Sequence, residues 1–354
     1  MKIAINFKPN KGSWGGGNQF VKSLIKGAYD ESFQVIYDLK QKDIDIILIT
    51  DPRSYNEEIT FGSLDIFKYL LFVNKNAIVV HRINECDERK NTKHMNFLLK
   101  LANYFADHTV FISSWLKSLD IYHKNISSSV ILNGADQAIF NDCNNLEWNK
   151  EEKLRLVTHH WSGNKMKGFD IYQRIDNMLS TKKWNERIEF TYIGNLPKNF
   201  KFRKTIHILP KNGMALSKEL SKHHVYVSAS INEPAGMHHI EGILCGLPIV
   251  YKNSGALPEY CQEFGISFED IDFTNALESM INEYNYFKLK IKEYPNNSSK
   301  MIKSYINLFN SLLKNKTKII SNRNLFRSPF FVLFNFIFYF LNLKKFVKRV
   351  KNKI

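Results

Sequence analysis

The sequence predicts an α/β protein of two facing Rossmann-like domains, followed by a C-terminal crossover helix and a basic, aromatic-rich tail helix. Three observations predict it. The 354-residue chain is longer than a single hydrophobic core usually serves, so two domains are expected. Short β-branched apolar runs alternate with helix-length amphipathic stretches, the pattern of a parallel sheet with helical crossovers. The alternation breaks once, in a segment rich in Asn and charge, and then starts again.

The first series occupies residues 1–142. Strand-like runs recur at 2–7, 33–37, 44–50, 77–81, 109–112 and 129–132, bounded by polar or Gly/Pro residues. Helical patterns lie between several of them, at 19–28 and at 94–105, where Phe97, Leu98, Leu101 and Phe105 share a face. Residues 141–152 carry no periodic apolar face, and 143–152 are read as an interdomain linker. The second series, 153–295, has candidate strands at 154–159, 188–193, 205–209, 225–228 and 248–252. A ligand is expected in the crevice outside the strand C-termini. The crossover region 296–318 contains a helix on which Met301, Ile302, Tyr305, Ile306, Phe309 and Leu312 form one broad apolar face. No repeat at a solenoid period is present.

Chemistry concentrates after the run at 225–228. A loop containing Pro234 and Gly236 leads into a helical segment, with Glu233 expected at the helix mouth and Glu241 two turns inside. The free N–H groups of Gly236, Met237 and His238, at the positive end of the helix dipole, suit a diphosphate or sugar oxygen. Gly246 and Pro248 follow as Gly-x-Pro. Elsewhere stand Gly15-Gly16-Gly17, Ser113-x-x-Leu116, Asn133-Gly134-Ala135-Asp136 running to Phe140, and Lys167-Gly168.

In this order and spacing, across residues 1 to about 315, these motifs resemble the retaining glycosyltransferases of family 4, which have the two-Rossmann GT-B fold. The resemblance implies a nucleotide-sugar donor as co-substrate, no cofactor and no metal. It implies that Glu233 approaches the donor sugar and that Glu241 reaches the ribose. Departing phosphates need positive charge, and the candidates are Lys165, Lys167 and the amides of Gly15, Gly16, Gly17 and Gly236 to His238. Family members usually carry an Arg shortly before the Lys-Gly pair. Here residues 159–166 read His-His-Trp-Ser-Gly-Asn-Lys-Met, which makes Lys165 a candidate replacement. The family often places a His after the fourth strand of the first domain, and either His81 or Asn84 takes that place here. An amide does not titrate, but a leaving-group phosphate oxygen can accept the acceptor's proton, so either register permits catalysis.

Competing chemistries are weaker. A dinucleotide motif turns directly from its strand, whereas residues 8–14 separate the glycines from theirs and Phe20 stands where the third glycine belongs. Asp43-Ile44-Asp45 and Asp270-Ile271-Asp272 resemble metal-binding Asp-x-Asp but precede a strand or a helix, and are read as structural. The four cysteines form no Cys-x-x-Cys pair, so reduced thiols and no zinc site are expected.

The formal charge of +16 is concentrated at one end: thirteen Lys and Arg and no acid lie from Lys300 onward, leaving about +3 on the rest. Nucleic acid is therefore not an expected partner. The N-terminus lacks the apolar region of a secretory signal, which points to a cytoplasmic body. In the tail, 319–354, residues 330–343 are apolar except Asn335 and Asn342 and precede six Lys and Arg. As a helix this run is about 21 Å long at about 1.5 Å per residue, short of a hydrocarbon core of about 30 Å. Ser328, Asn335, Asn342 and Arg349 recur every seven residues as a narrow polar stripe opposite a wide aromatic one. That pattern suits a helix lying flat on an anionic membrane surface; packing on the protein body, or a short tilted span, are the open alternatives. The expected activity is retaining transfer of a sugar from a nucleotide-diphosphate donor to a lipid-linked or surface glycan acceptor at the cytoplasmic membrane face. The alternative is a catalytically silent nucleotide- or sugar-binding module on the same scaffold.

Overall fold

The computed structural model describes residues 1–10 and 15–351, with side chains described through Leu341. The chain divides into two compact units, one of Met1–Asp87, Thr92–Leu132 and Ile302–Ile354, the other of Glu88–Asn91 and Asn133–Met301.

In the first unit, β1 (Lys2–Ile5), β2 (Gln34–Ile36), β3 (Ile46–Ile49), β4 (Ile78–Ile83), β5 (His108–Phe111) and β6 (Ser127–Val130) form one sheet in the order β2-β1-β3-β4-β5-β6. Every pairing is parallel, with Ala4 beside Ile47, Leu48 beside Val80 and Val80 beside His108. Strands β3 and β4 are buried along their whole length, which is why they read as continuous apolar runs. The helices are α1 (Gly16–Asp30), α2 (Ser63–Phe72), α3 (Met95–Asn103) and α4 (Ser114–Ser118). Helix α1 starts earlier than its apolar periodicity indicates, so Gly16 and Gly17 form its first turn and Gly15 its cap. Helix α2 escaped the sequence reading because it is apolar nearly all round, which hides the period that marks a helix.

In the second unit, β7 (Leu154–His160), β8 (Ile188–Gly194), β9 (Ile206–Ile208), β10 (Val225–Ser228), β11 (Ile249–Lys252) and β12 (Gly265–Phe268) pair in the order β12-β11-β10-β7-β8-β9, again all parallel. Its helices are α5 (Phe169–Met178), α6 (Lys182–Asn185), α7 (Gly213–Leu220), α8 (Met237–Leu244), α9 (Leu257–Cys261) and α10 (Phe273–Lys290). The core gathers Leu156, Tyr172, Phe190, Val227, Val250 and Leu277. Residues 141–152, read as a linker, lie inside this unit, where Trp148 stands edge-on to Tyr284 with ring centroids 5.5 Å apart.

The division between units falls within α11 (Ser298–Lys314), which is followed by α12 (Lys316–Ser321) and α13 (Pro329–Lys351). Tyr305 of α11 meets Phe20 of α1 at 5.0 Å between centroids. Helix α13 packs on the first unit, with Leu325, Phe331, Val332, Phe336 and Tyr339 against Leu64, Phe67, Tyr104 and Phe105. The polar stripe expected to face water is turned inward at Asn335, which is 2 % exposed. Asn335 accepts from Ser63 Oγ at 2.5 Å and donates to the Leu101 carbonyl at 3.2 Å. An amide amid aromatic side chains is costly unless bonded, so these two bonds fix the helix's rotation. The side chains of Asn342 and Arg349 lie outside the described residues. Among the described residues, no helix is long and apolar enough to cross a membrane.

Candidate functional site

Strand order places the site. In the second unit β7 and β10 are neighbours whose connections run to opposite sides, β7 toward β8 and β10 toward β11. The loops leaving their C-terminal ends diverge, which opens a crevice at this switch point.

The loop after β7 supplies Lys167. A short 3-10 turn at Lys165–Lys167 ends on Gly168, whose φ of +85° is left-handed. A Cβ there would lie 2.1 Å from the Ala229 carbonyl oxygen at the end of β10. Only glycine lets the two loops approach this closely. The turn directs Lys165 to solvent and buries Lys167, whose Nζ donates to Glu233 Oε2 at 2.5 Å.

Glu233 comes from the loop after β10. It stands four residues ahead of α8, so it is a loop residue and not the helix-mouth residue that the sequence suggested, while Glu241 sits in the second turn. The loop is held in unusual backbone geometry, with φ +50° at Asn232 and +126° at Ala235. Its restraints come from three directions. Ala256 N–H donates to the Glu233 carbonyl at 2.8 Å, and Ser254 Oγ accepts from Asn232 N–H at 2.9 Å. Asn133 Nδ2 donates to the Ala235 carbonyl at 2.8 Å. At Gly236 a Cβ would fall 2.9 Å from Glu233 Oε1, so glycine allows the carboxylate to fold back over the start of α8. No side chain caps α8, whose first-turn amides are left to other acceptors.

Burial pushes the Glu233 carboxyl up, but the charges of Lys167 and Arg89 and the Lys167 hydrogen bond outweigh it, holding the group well below the usual carboxylate range. Around this pair lies a buried histidine cluster. His159 Nε2 lies 2.8 Å from Glu241 Oε2, and its Nδ1 lies 3.1 Å from the Tyr226 hydroxyl. His238 Nε2 meets Ser228 Oγ at 2.9 Å, and His160 Nε2 meets the Tyr172 hydroxyl at 2.7 Å. Burial, with nearby positive charge, holds His160 and His238 well below the ordinary imidazole range and brings His239 down to about 4. His160, His238 and His239 are therefore neutral near pH 7. Among the described residues, Glu233 Oε1, Glu241 Oε1 and both ring nitrogens of His239 are buried without a hydrogen-bond partner in the chain. Buried polar atoms are normally satisfied, so these four are open to a polar ligand.

In the first unit, Gly17 and Asn84 come together: a Cβ on Gly17 would lie 3.8 Å from the Asn84 amide. Turned to satisfy its surroundings, that amide donates to the Thr50 carbonyl at 3.2 Å and accepts from Arg82 Nη1 at 3.0 Å. His81 is placed differently. It is fully buried in the middle of β4, its Nδ1 3.2 Å from Asn103 Nδ2, and burial brings it down to about 3. Of the two, Asn84 stands past the strand end beside the glycines, and His81 lies within β4 with its Nε2 buried and without a hydrogen-bond partner in the chain.

Sequence reading singled out neither His159, Arg89 nor Gly255. His159 lies in a His-His pair at a strand end, which carries no pattern of its own. Asn133 was visible only as part of a motif, with no hint that its amide would brace the Glu233 loop.

Among the described residues no group of three or more His, Cys, Asp or Glu is disposed to hold a metal ion. Asp43 pairs with Lys2, Asp45 accepts from the Lys2 N–H at 2.9 Å, and Asp270 pairs with Lys252. Asp272 occupies the cap position of α10, but its side chain makes no capping bond.

No protein-family model and no curated protein matches this chain. Solved structures do. It is similar to sucrose-phosphate synthase from Thermosynechococcus elongatus, at 13 % identity over 88 % of this chain and 98 % of that one, with a TM-score of 0.63. It is similar to the catalytic domain of starch synthase IV from Arabidopsis thaliana bound to ADP and acarbose, at 13 % identity over 88 % and 99 %, TM-score 0.65. HepE from Anabaena, in complex with UDP and glucose, matches at 12 % identity over 88 % and 99 %, TM-score 0.61. At such identities the likeness speaks for architecture, and with two six-stranded parallel sheets flanked by helices the chain has the GT-B fold.

Proposed function

We propose that this chain is a retaining, metal-independent glycosyltransferase that moves a sugar from a nucleotide-diphosphate donor to a lipid-linked or surface glycan acceptor at the cytoplasmic face of a membrane. The observation that carries the reading is the convergence of Lys167, Glu233 and the uncapped start of α8 at the switch point of the second sheet. The ADP and the UDP with glucose bound by two similar structures agree with such a donor. In this reading the Lys167 ammonium and the α8 amides receive the diphosphate, Glu233 faces the donor sugar and Glu241 the ribose. The bond from the sugar's anomeric carbon to the phosphate oxygen breaks, and the acceptor oxygen bonds to that carbon on the same face. The acceptor's proton passes to a phosphate oxygen of the leaving nucleotide diphosphate. His160, His238 and His239, neutral, then act as scaffold, and positive charge from Lys167 and the helix terminus stabilises the leaving group. The cationic run from Lys300 onward, free of acids, supports an anionic membrane as the working surface.

The test is release of nucleotide diphosphate from a donor panel in the presence of membrane extract. Glu233→Gln should lower turnover by about a hundredfold or more, whereas Glu241→Ala should chiefly raise the donor KM, and EDTA should change neither. Full activity in both variants would remove these residues from the reaction. Failure to release product from any donor, with nucleotide still bound, would leave a binding module.

A further inference from the structure

The inward turn of Asn335 changes what α13 offers to its surroundings. Residues 330–341 are apolar at every position but 335, and that exception faces the body. The opposite side carries Phe330, Leu333, Ile337, Phe340 and Leu341, each 43 to 59 % exposed. Their spacing of three and four residues sets them on one ridge, about 17 Å long at about 1.5 Å per residue. A helix apolar on all faces is normally covered on all faces, and an exposed ridge this continuous marks an interaction surface.

We infer that this ridge is the surface by which the chain seats on an anionic lipid leaflet, with α13 lying flat and clamped to the protein by Asn335. The inference deepens the membrane reading proposed for the tail and rests on it. Charge favours lipid over a second copy of the chain, and geometry favours a flat seat over insertion. The ridge is followed directly by Lys344, Lys345, Lys348, Arg349, Lys351 and Lys353, and the chain has no acid after Lys300 to pair with them. Two copies meeting through this face would bring like charge together, whereas anionic headgroups attract it. Ser63 of α2 bonds to Asn335, and Lys68 lies over the Tyr339 ring at 4.9 Å, so the two helices run side by side. Held lengthwise, α13 presents a flank and cannot insert end-on without leaving its seat.

The experiment is co-sedimentation of the full chain with vesicles of phosphatidylcholine alone or of phosphatidylcholine with phosphatidylglycerol. Wild type is compared with Leu333→Gln/Ile337→Gln/Phe340→Gln, whose residues are exposed and should leave the thermal midpoint unchanged. The wild type should bind the anionic vesicles and weaken with added salt. The triple variant should lose at least tenfold in vesicle affinity while keeping wild-type nucleotide affinity. If the wild type binds no vesicle, the membrane reading itself fails. If both proteins bind anionic vesicles equally, the tail still meets membrane but the ridge is not the contact. A wild type that dimerises without lipid, with a monomeric variant that binds vesicles normally, would assign the ridge to self-association and overturn the proposal.

Discussion

Lys167 and Glu233 form an ion pair from which solvent is almost excluded, with side chains 11 % and 1 % exposed. Both were legible in the sequence, one beside a glycine and one in a spaced pair of glutamates. Their contact was not, because no local pattern links positions on different loops. A buried pair is weak evidence of net stabilisation, but breaking one from a single side strands a charge, at about 3–5 kcal/mol. Lys167→Met should therefore lower unfolding stability by about that amount, and Lys167→Met/Glu233→Gln should recover much of it. Urea unfolding of the three proteins checks this; a loss under about 1 kcal/mol for Lys167→Met would show the pair to be effectively solvated. His159 illustrates the opposite case. Successive side chains on a strand point to opposite faces, so His159 reaches Glu241 and Tyr226 while its neighbour His160 reaches Tyr172. The sequence shows two adjacent histidines, and only the sheet separates their roles.

Loops and short strands are the elements where sequence and structure part. Strand β12 reads Gly-Ile-Ser-Phe, too weakly apolar to register, yet it completes the sheet next to β11. The loop carrying Glu233 is specified largely from outside itself. Gly255, in the turn after β11, has φ +62°, and a Cβ on it would lie 2.5 Å from both the amide nitrogen and the carbonyl oxygen of Glu233. Here glycine is required twice, for its own conformation and for the neighbour it admits. Gly255→Ala must move the Glu233 backbone or strain itself, and should cost about 1–3 kcal/mol. Nucleotide affinity should fall with stability, since the displaced segment carries the acid and leads into α8. Calorimetric titration with nucleotide diphosphate below the variant's melting range checks it, and wild-type affinity would show that the loop absorbs the methyl group without shifting Glu233. Helix α13 differs in kind: polarity alone cannot tell an Asn that meets water from one that, like Asn335, meets a bonded serine and carbonyl.

At the scale of the whole molecule, alternation in the sequence announced two parallel sheets, while strand order, which creates the switch point, depends on crossovers that local periodicity does not encode. Folding also buries titratable groups in both units. In the first unit burial brings His81 down to about 3; in the second it brings His239 and His223 down to about 4, and His160 and His238 further below the ordinary value. An unfolded histidine titrates near 6.5. Below that pH the unfolded chain takes up protons that the folded chain refuses, so stability rises with pH across this window and is lost on acidification. Each fully buried histidine removes about 1.4 kcal/mol by pH 5.5, so two already remove about 3 kcal/mol, a large share of a typical folding free energy. Carboxylates held low, such as Glu233, add to this only at more acidic pH, since their contribution is lost as pH falls below the unfolded value near 4.3. Thermal midpoints should therefore be nearly flat from pH 8 to about 7 and fall steeply between about 6.5 and 5. Differential scanning calorimetry at constant ionic strength checks the profile. A midpoint that stays level to pH 5 would mean that the histidines are reached by water or protonate without opening the fold, and the cluster beneath Glu233 and Glu241 would then be a titrating part of the site instead of its neutral scaffold.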